Sequence, residues 1–190
     1  GEGFTSKNVR HCVNSVSLTF EPRHISGIKS IVLASGCFWG TQYFLARIPG
    51  VLETKVGYTG GHTRNPSYKQ VCEGTTGHVE AVEVFYDPSQ VDLAEILKIY
   101  FETHDFSQAD GQGPDIGPQY LSVLFFESDE ERTLAQSLID ELRTLGHGVA
   151  TQLKPRAEFW VAEDYHQDYY ERKGDTPYCH VYREMFNRKV

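Results

Sequence analysis

Apolar positions follow two rhythms along this chain. Short apolar runs of strand length alternate with stretches where apolar residues recur every three or four positions, as on one face of a helix. Residues 28–35 read as a buried strand, followed by Gly36-Cys37-Phe38-Trp39-Gly40 and a helical stretch over about 41–48, which Pro49-Gly50 stops. A second strand spans 51–58, and residues 59–77 form a long loop rich in Gly, Thr, Asn and Pro. A third strand, 78–86, ends at Asp87-Pro88. The next helix is the clearest in the chain. Leu93, Ile96, Leu97, Tyr100, Phe101 and His104 share one face, with Asp92 and Glu95 as a cap pair. A second loop, 104–119, carries Gly111, Gly113, Pro114, Gly117 and Pro118, and a strand over 120–126 follows. Ser128 and Glu131 form a capping box for a helix that places Leu134, Leu138, Leu142 and Leu145 on one side and stops at Gly146. A short strand near 149–153, a helix near 164–172 and an irregular tail from about 173 complete the chain.

Helices and strands are mixed, and the first three strands lack the regular helix-filled spacing of a doubly wound parallel sheet. The expected class is α+β, a two-layer α/β sandwich of order β-α-β-β-α-β-α with a ferredoxin-like core. Residues 1–27, which lack clear periodicity and carry Pro22 and Gly27, read as an extension, and 28–190 as a single catalytic domain ending in a mobile tail. With 190 residues, 39% hydrophobic and 13% aromatic, burial can offset the ordering entropy. No run approaches 18 apolar residues, so no membrane-spanning helix is expected. Eighteen Lys and Arg against 26 Asp and Glu give a net charge of −8, a field that repels a phosphate backbone and argues against nucleic acid. Gly1-Glu2-Gly3 reads as a trimmed or engineered start with no signal segment. The cytoplasm is the expected compartment, with a processed secreted or periplasmic form as the alternative, and a monomer is the expected state.

The four cysteines, Cys12, Cys37, Cys72 and Cys179, form no C-x-x-C pair and no finger spacing, so neither a structural zinc site nor a disulfide scaffold is expected. Cys37 lies where a buried strand meets a helix start. Unpaired N–H groups and the helix dipole there stabilise negative charge and favour a thiolate, whereas the bland alternative is a buried cysteine in a tight turn. Phe38 and Trp39 offer either an aromatic wall suited to a methyl or thioether group or ordinary core packing. On the third strand, alternation sets Glu80 with Val82 and Val84, and Glu83 with Val79, Ala81 and Phe85. Pattern alone does not choose between the two acids.

Gly36-Cys37-Phe38-Trp39-Gly40 resembles the active-site signature of the A class of peptide methionine sulfoxide reductases. The similarity continues in order through Gly57-Tyr58-Thr59-Gly60-Gly61, Asn65-Pro66-Ser67-Tyr68, Val71-Cys72 and Thr76-Gly77-His78-Val79-Glu80-Ala81-Val82, with Tyr86-Asp87-Pro88 behind. It resumes at His104-Asp105, Gln112-Gly113-Pro114-Asp115-Ile116-Gly117, Gln119-Tyr120 and Ala162-Glu163-Asp164-Tyr165-His166-Gln167. The resemblance covers about 28–179. Phe106 replaces a usual proline, Leu121 a frequent arginine, and Pro-Tyr rather than Gly-Tyr precedes Cys179.

The resemblance implies reduction of the S epimer of free and protein-bound methionine sulfoxide, with no metal or organic cofactor. Cys37 is the implied nucleophile and Glu80 the proton donor. Tyr58 and Tyr120 are implied to contact the sulfoxide oxygen, Asp115 to assist, and Phe38 and Trp39 to hold the methyl group. Cys179 is the implied resolving thiol, its disulfide with Cys37 being reduced by thioredoxin or dithiothreitol. Cys72 is assigned to packing, Cys12 to an incidental thiol, and His166 and Gln167 to supporting hydrogen bonds. Two rivals differ in class. A cysteine acyltransferase or hydrolase would need His78, His104 or His166 as a base near Cys37. A sulfoxide-binding protein without turnover would not require Glu80.

Overall fold

The computed structural model describes residues 27–187, so most of the N-terminal extension, with Cys12, lies outside the described residues. Among the described residues, eight strands and five α-helices form a mixed α/β fold: β1 (Lys29–Ser35), α1 (Phe38–Leu45), β2 (Val51–Thr59), α2 (Tyr68–Cys72), β3 (Val79–Tyr86), α3 (Leu93–Glu102), β4 (Gly111–Gln112), β5 (Asp115–Ile116), β6 (Ser122–Phe126), α4 (Asp129–Thr144), β7 (Gln152–Pro155), β8 (Phe159–Val161) and α5 (Tyr169–Lys173). Six strands make one sheet in the order β7-β6-β1-β3-β2-β8, and β4 pairs with β5 separately. All neighbours are antiparallel except β6 and β7.

One face of the sheet presents Ile31, Leu33, Val56, Tyr58, Val82, Val84 and Leu124 to residues of α1, α3 and α4, including Leu45, Ile96, Phe101 and Leu142. The other buries a smaller cluster of Val32, Ala34, Val79, Ala81, Val123 and Phe125 under Leu121 and Phe159. Strands β1 and β3 are thus covered on both sides, which is why they read as near-continuous apolar runs. The predicted face of α3 is buried at Ile96, Leu97, Tyr100 and Phe101, and Asp92 caps it by accepting from Glu95 N–H at 2.8 Å. In α4, Ser128 accepts from Glu131 N–H, while Leu145 is the C-cap and lies exposed instead of extending the buried face.

Besides the unexpected β4, β5 and β8 and shifted starts of β6 and β7, three departures from expectation bear on the site. Helix α1 begins at Phe38, three residues before the predicted Thr41, because a side chain from β3 receives the first amide of the turn. Inside the loop over 59–77, Ser67 and Gln70 form a reciprocal capping box that opens α2. The expected helix near 164–172 divides into a 3-10 turn (Asp164–His166) and α5, because the Gln167 side chain is drawn off to bond Val56 N–H, Val56 C=O and Ala162 C=O.

Candidate active site

The site is organised by the corner between β1 and α1. Gly36 turns the chain at φ +89°, and a Cβ there would collide with the Gln112 side chain. Cys37 is the N-cap of α1, and its carbonyl accepts from Gly40 N–H at 3.1 Å and Thr41 N–H at 3.3 Å. Its thiol makes no capping bond and is partly exposed. The next amide, Phe38 N–H, donates to Glu80 Oε2 at 3.0 Å, so an acid from the middle of the sheet completes the helix start.

Glu80 is 1% exposed and sits opposite Tyr58 in the β2–β3 register, on the helix-covered face with Val82 and Val84. Burial pushes its carboxyl up to about 8; the Phe38 amide opposes the rise and Asp115 adds to it. Glu80 is therefore mostly protonated at neutral pH. Glu83, three residues on, points to the opposite face and is ion-paired with Arg156, which also reaches Ser30 Oγ.

The Cys37 thiol is pushed up, first by burial and then by the charge of Glu80, with smaller contributions from Cys179 and Asp115; the Trp39 backbone N–H acts the other way. This overturns the expectation that the helix start alone would lower it. A helix N-terminus supplies about 1 kcal/mol, less than desolvation among two carboxyl groups takes away. A protonated Glu80 removes its share of that repulsion, so the two groups titrate as a coupled pair.

Three tyrosines converge on the acid. The Tyr58 hydroxyl donates to Glu163 Oε2 at 2.8 Å, and Glu163 Oε1 accepts from Tyr68 N–H at 3.0 Å. Tyr120 ends a 3-10 turn (Pro118–Tyr120) and is half-buried near Glu80 and Cys37. Burial first, and then Glu163 for Tyr58, Cys72 for Tyr68 and Glu80 for Tyr120, push all three phenols up, which keeps them hydrogen-bond donors. Phe38 is buried, its ring 5.8 Å from Tyr58 and 5.1 Å from His166. Trp39 is half-buried, stacks on Tyr169 at 3.7 Å and donates Nε1–H to His166 Nδ1 at 3.1 Å. A cleft of about 400 Å³ beyond this stack, between α1 and α5, does not include Cys37.

The second thiol comes from the tail. Cys179 is 8% exposed, and Gln112 Nε2–H donates to its carbonyl at 3.0 Å. Burial and then Asp115 push its thiol up to about 11. Asp115 lies on β5, 3.5 Å from the Tyr178 hydroxyl, and acts electrostatically on Cys37, Cys179 and Glu80. Past Cys179 the chain is held to α3: Glu102 C=O accepts from Arg183 N–H, and Glu102 Oε1 from Met185 and Phe186 N–H. Cys72 is exposed at the rim and hydrogen-bonds the Tyr68 hydroxyl.

Each histidine named for the hydrolase rival is engaged elsewhere. His78 Nδ1 accepts from Gly61 N–H and its Nε2 meets Thr63 C=O. His104 bonds Tyr100 C=O and Ser122 Oγ, and burial holds it down to about 3. His166 receives Trp39, and its buried Nε2 has no partner among the described residues. Glu163, Tyr68 and Gln112 were present in the matched blocks without a role; their bonds to Tyr58, Glu163 and Cys179 supply one. His180, beside Cys179, had carried no sequence signal. Among the described residues, no group of His, Cys, Asp and Glu gathers as metal donors, and no helix is long and apolar enough to cross a membrane.

Comparison with known proteins places the chain in a family. Residues 29–190 match the family model described as peptide methionine sulfoxide reductase. The chain is similar to peptide methionine sulfoxide reductase MsrA 1 of Rhodopirellula baltica, 44% identical over 154 residues that cover 80% of either chain. Among solved structures it is similar to reduced Mxr1 from Saccharomyces cerevisiae, with a TM-score of 0.76 and 36% identity over 83% of this chain and 93% of that one. It is also similar to Mxr1 in complex with Trx2, with a TM-score of 0.57 and 26% identity over 88% and 96%. The chain belongs to the peptide methionine sulfoxide reductase A family, thiol-dependent enzymes that return methionine sulfoxide to methionine.

Proposed function

We propose that this reductase acts on the S epimer of free and protein-bound methionine sulfoxide through a Cys37 sulfenic acid. One observation carries the mechanism: the first amide after Cys37 is bonded to a buried Glu80 whose carboxyl is raised to about 8. One oxygen of that carboxyl is held by Phe38 N–H, which leaves the other to carry a proton at neutral pH. The Cys37 sulfur attacks the sulfoxide sulfur as Glu80 protonates the sulfoxide oxygen, and the proton leaving the Cys37 thiol passes to the Glu80 carboxylate and restores the acid. The bond from oxygen to the methionine sulfur breaks and one from oxygen to Cys37 forms. Methionine sulfur is reduced by two electrons and Cys37 is oxidised to sulfenic acid. Tyr58 and Tyr120 donate to the oxygen as charge gathers there. Asp115 adds negative charge that helps keep Glu80 protonated, and the Phe38 and Trp39 rings hold the substrate methyl group.

The Cys179 thiol then attacks the Cys37 sulfenic sulfur, forming a disulfide and releasing water. An external dithiol, thioredoxin in the cell or dithiothreitol in the tube, reduces it; the complex of Mxr1 with Trx2 supports the former. No resident cofactor is needed for these steps. The antiparallel order β6-β1-β3-β2, with α1 after β1 and α3 after β3, supports describing the core as ferredoxin-like. We also propose a single catalytic domain over 28–190 whose tail from about 173 moves during the cycle, a monomeric state and a cytoplasmic location.

A methionine sulfoxide peptide added without reductant tests the cycle. The wild type is expected to release about one equivalent of methionine and then stop, with Cys37 joined to Cys179 by mass mapping. Cys37→Ser should release none. Cys179→Ser should keep the first equivalent and lose thioredoxin-dependent turnover. A disulfide joining Cys37 to Cys72 would overturn the resolving role of Cys179, and methionine formation by Cys37→Ser would overturn the nucleophile.

A further inference from the structure

His180, in the tail beside Cys179, is 2% exposed, and the reductive half of the cycle makes no use of it. Its ring is fixed at both nitrogens. Nε2 lies 2.7 Å from Ser35 C=O and 3.3 Å from Thr41 Oγ1. A carbonyl oxygen can only accept, so Nε2 carries the hydrogen. Nδ1 is then left with a lone pair, and it lies 3.2 Å from Cys179 Sγ. The only hydrogen available for that contact is the thiol's own, which His180 Nδ1 shares with the Asp115 side chain as the two acceptors of Cys179 S–H.

The corner is shaped to hold the ring in this way. Gly40, on the first turn of α1, has His180 where a Cβ would stand, and any side chain there would expel the imidazole. Gln112 fixes the preceding carbonyl, that of Cys179. The imidazole therefore bridges the end of β1 and the resolving cysteine, and Ser35 lies two residues before Cys37.

We infer that His180 is the general base of the resolving step, its Nδ1 taking the Cys179 thiol proton as that sulfur attacks the Cys37 sulfenic acid. This rests on Cys179 being the resolving thiol of the proposed cycle. The step balances: the S–S bond forms, the Cys37 S–O bond breaks, the thiol proton passes to Nδ1, and the departing oxygen takes a proton from the reprotonated Glu80 carboxyl and leaves as water. The imidazolium then returns its proton through solvent to Glu80. Burial holds His180 down to about 4, so the ring is neutral and its lone pair is free at neutral pH. A weak base suffices here because a thiol becomes far more acidic as its sulfur gives up electrons to a new S–S bond. Without the base, a thiol raised to about 11 must ionise on its own before it attacks.

His180→Gln is the informative variant, because its amide N–H can still reach Ser35 while the acceptor facing Cys179 is lost. After one equivalent of sulfoxide peptide and no reductant, methionine release and Cys37–Cys179 disulfide formation are timed in parallel between pH 6 and 7.5. The groups around the pair are Cys37, Asp115, Glu80, Tyr170, Tyr178 and His104, and all are common to both proteins. In the wild type the disulfide rate should be nearly flat over this range. In His180→Gln the ratio of disulfide rate to methionine rate should drop about tenfold or more, and the disulfide rate should climb about tenfold per pH unit, as free thiolate does. Loss of packing alone would lower the rate without that slope. An unaltered ratio, or a flat profile in the variant, would overturn the inference. Should His180→Gln release no methionine, the wild type decides by itself, since a disulfide rate that tracks hydroxide excludes a built-in base. Absence of any Cys37–Cys179 disulfide in the wild type would instead remove Cys179 from the cycle, and the inference with it.

Discussion

Two glutamates three residues apart on β3 meet opposite fates. Glu80 faces the helix-covered side of the sheet, is 1% exposed, and has a single backbone amide and the neighbouring tyrosines for company. Glu83 faces the other side and is paired with Arg156, which is itself held by Ser30 and Glu127. The residue type and strand are shared, but Glu80 is 1% exposed while the Glu83 side chain is 13% exposed and meets a guanidinium, so depth and counter-charge together separate their surroundings. Beside Glu80, the charge of Asp115 opposes ionisation. A strand covered on both faces can thus carry a proton donor on one side and a structural ion pair on the other, with no local feature in the chain to distinguish them.

Removing each acid in turn should break this contrast most visibly. Glu80→Ala is expected to slow the first release of methionine on the order of a thousandfold, whereas Glu83→Ala should leave it within about twofold. Equal losses in single-turnover assays would mean that position on the sheet does not decide the role. Stability should respond the other way around. Arg156→Ala leaves Glu83 without its partner and should cost about 2–3 kcal/mol by urea denaturation, with methionine release nearly intact.

The pH dependence of stability sharpens the comparison further. Between about 4.5 and 8 the folded chain keeps a proton on Glu80 that the unfolded chain has released, so stability falls as pH rises through that window. The contribution is at most about 1.4 kcal/mol per pH unit, and it should vanish in Glu80→Gln. A Glu80→Gln protein that loses stability with pH as steeply as the wild type would show that the acid is ionised in the fold. The same proton governs the chemistry, so the wild-type single-turnover rate should decline above pH 8. Glu80→Gln, whose amide can still donate to the oxygen, should lose far less activity than Glu80→Ala. Tyr58→Phe removes a donor already shared with Glu163 and should cost about tenfold in the same assay. Smallest of all, Arg47→Ala breaks an exposed pair with Glu171 and should change the urea midpoint by less than about 0.5 kcal/mol equivalent.

Much of the fold was legible because it depends on periodicity. The apolar runs of β1 and β3 and the single buried face of α3 could be read directly from residue order. Legibility ended where a tertiary partner acts. Helix α1 starts at Phe38 because Glu80, 42 residues away, receives its amide, and nothing near Phe38 signals that acid. The capping box of α2 was in plain sight as Ser67 and Gln70, yet the glycine-rich surroundings masked it. Alternation put Glu80 and Glu83 on opposite faces but gave neither its partner, because Arg156 arrives from the segment after β7. The helix-start argument for a Cys37 thiolate used a true local effect and missed the larger desolvation that the folded site imposes. His180 was invisible for the same reason, since its role depends on Ser35 and Gly40 lying across the corner.

The grip of Glu102 on the backbone of Arg183, Met185 and Phe186 has a consequence for how long Cys37 survives as an oxidised intermediate. Cys179 lies between α5 and the attachment at α3, so the tail movement of the proposed cycle is confined to the segment between those two points. A thiol confined in that way presents a high local concentration to its target. In the proposed cycle, capture of the Cys37 sulfenic acid would then outrun a second encounter with peroxide and spare the enzyme the irreversible oxidation that would end its working life.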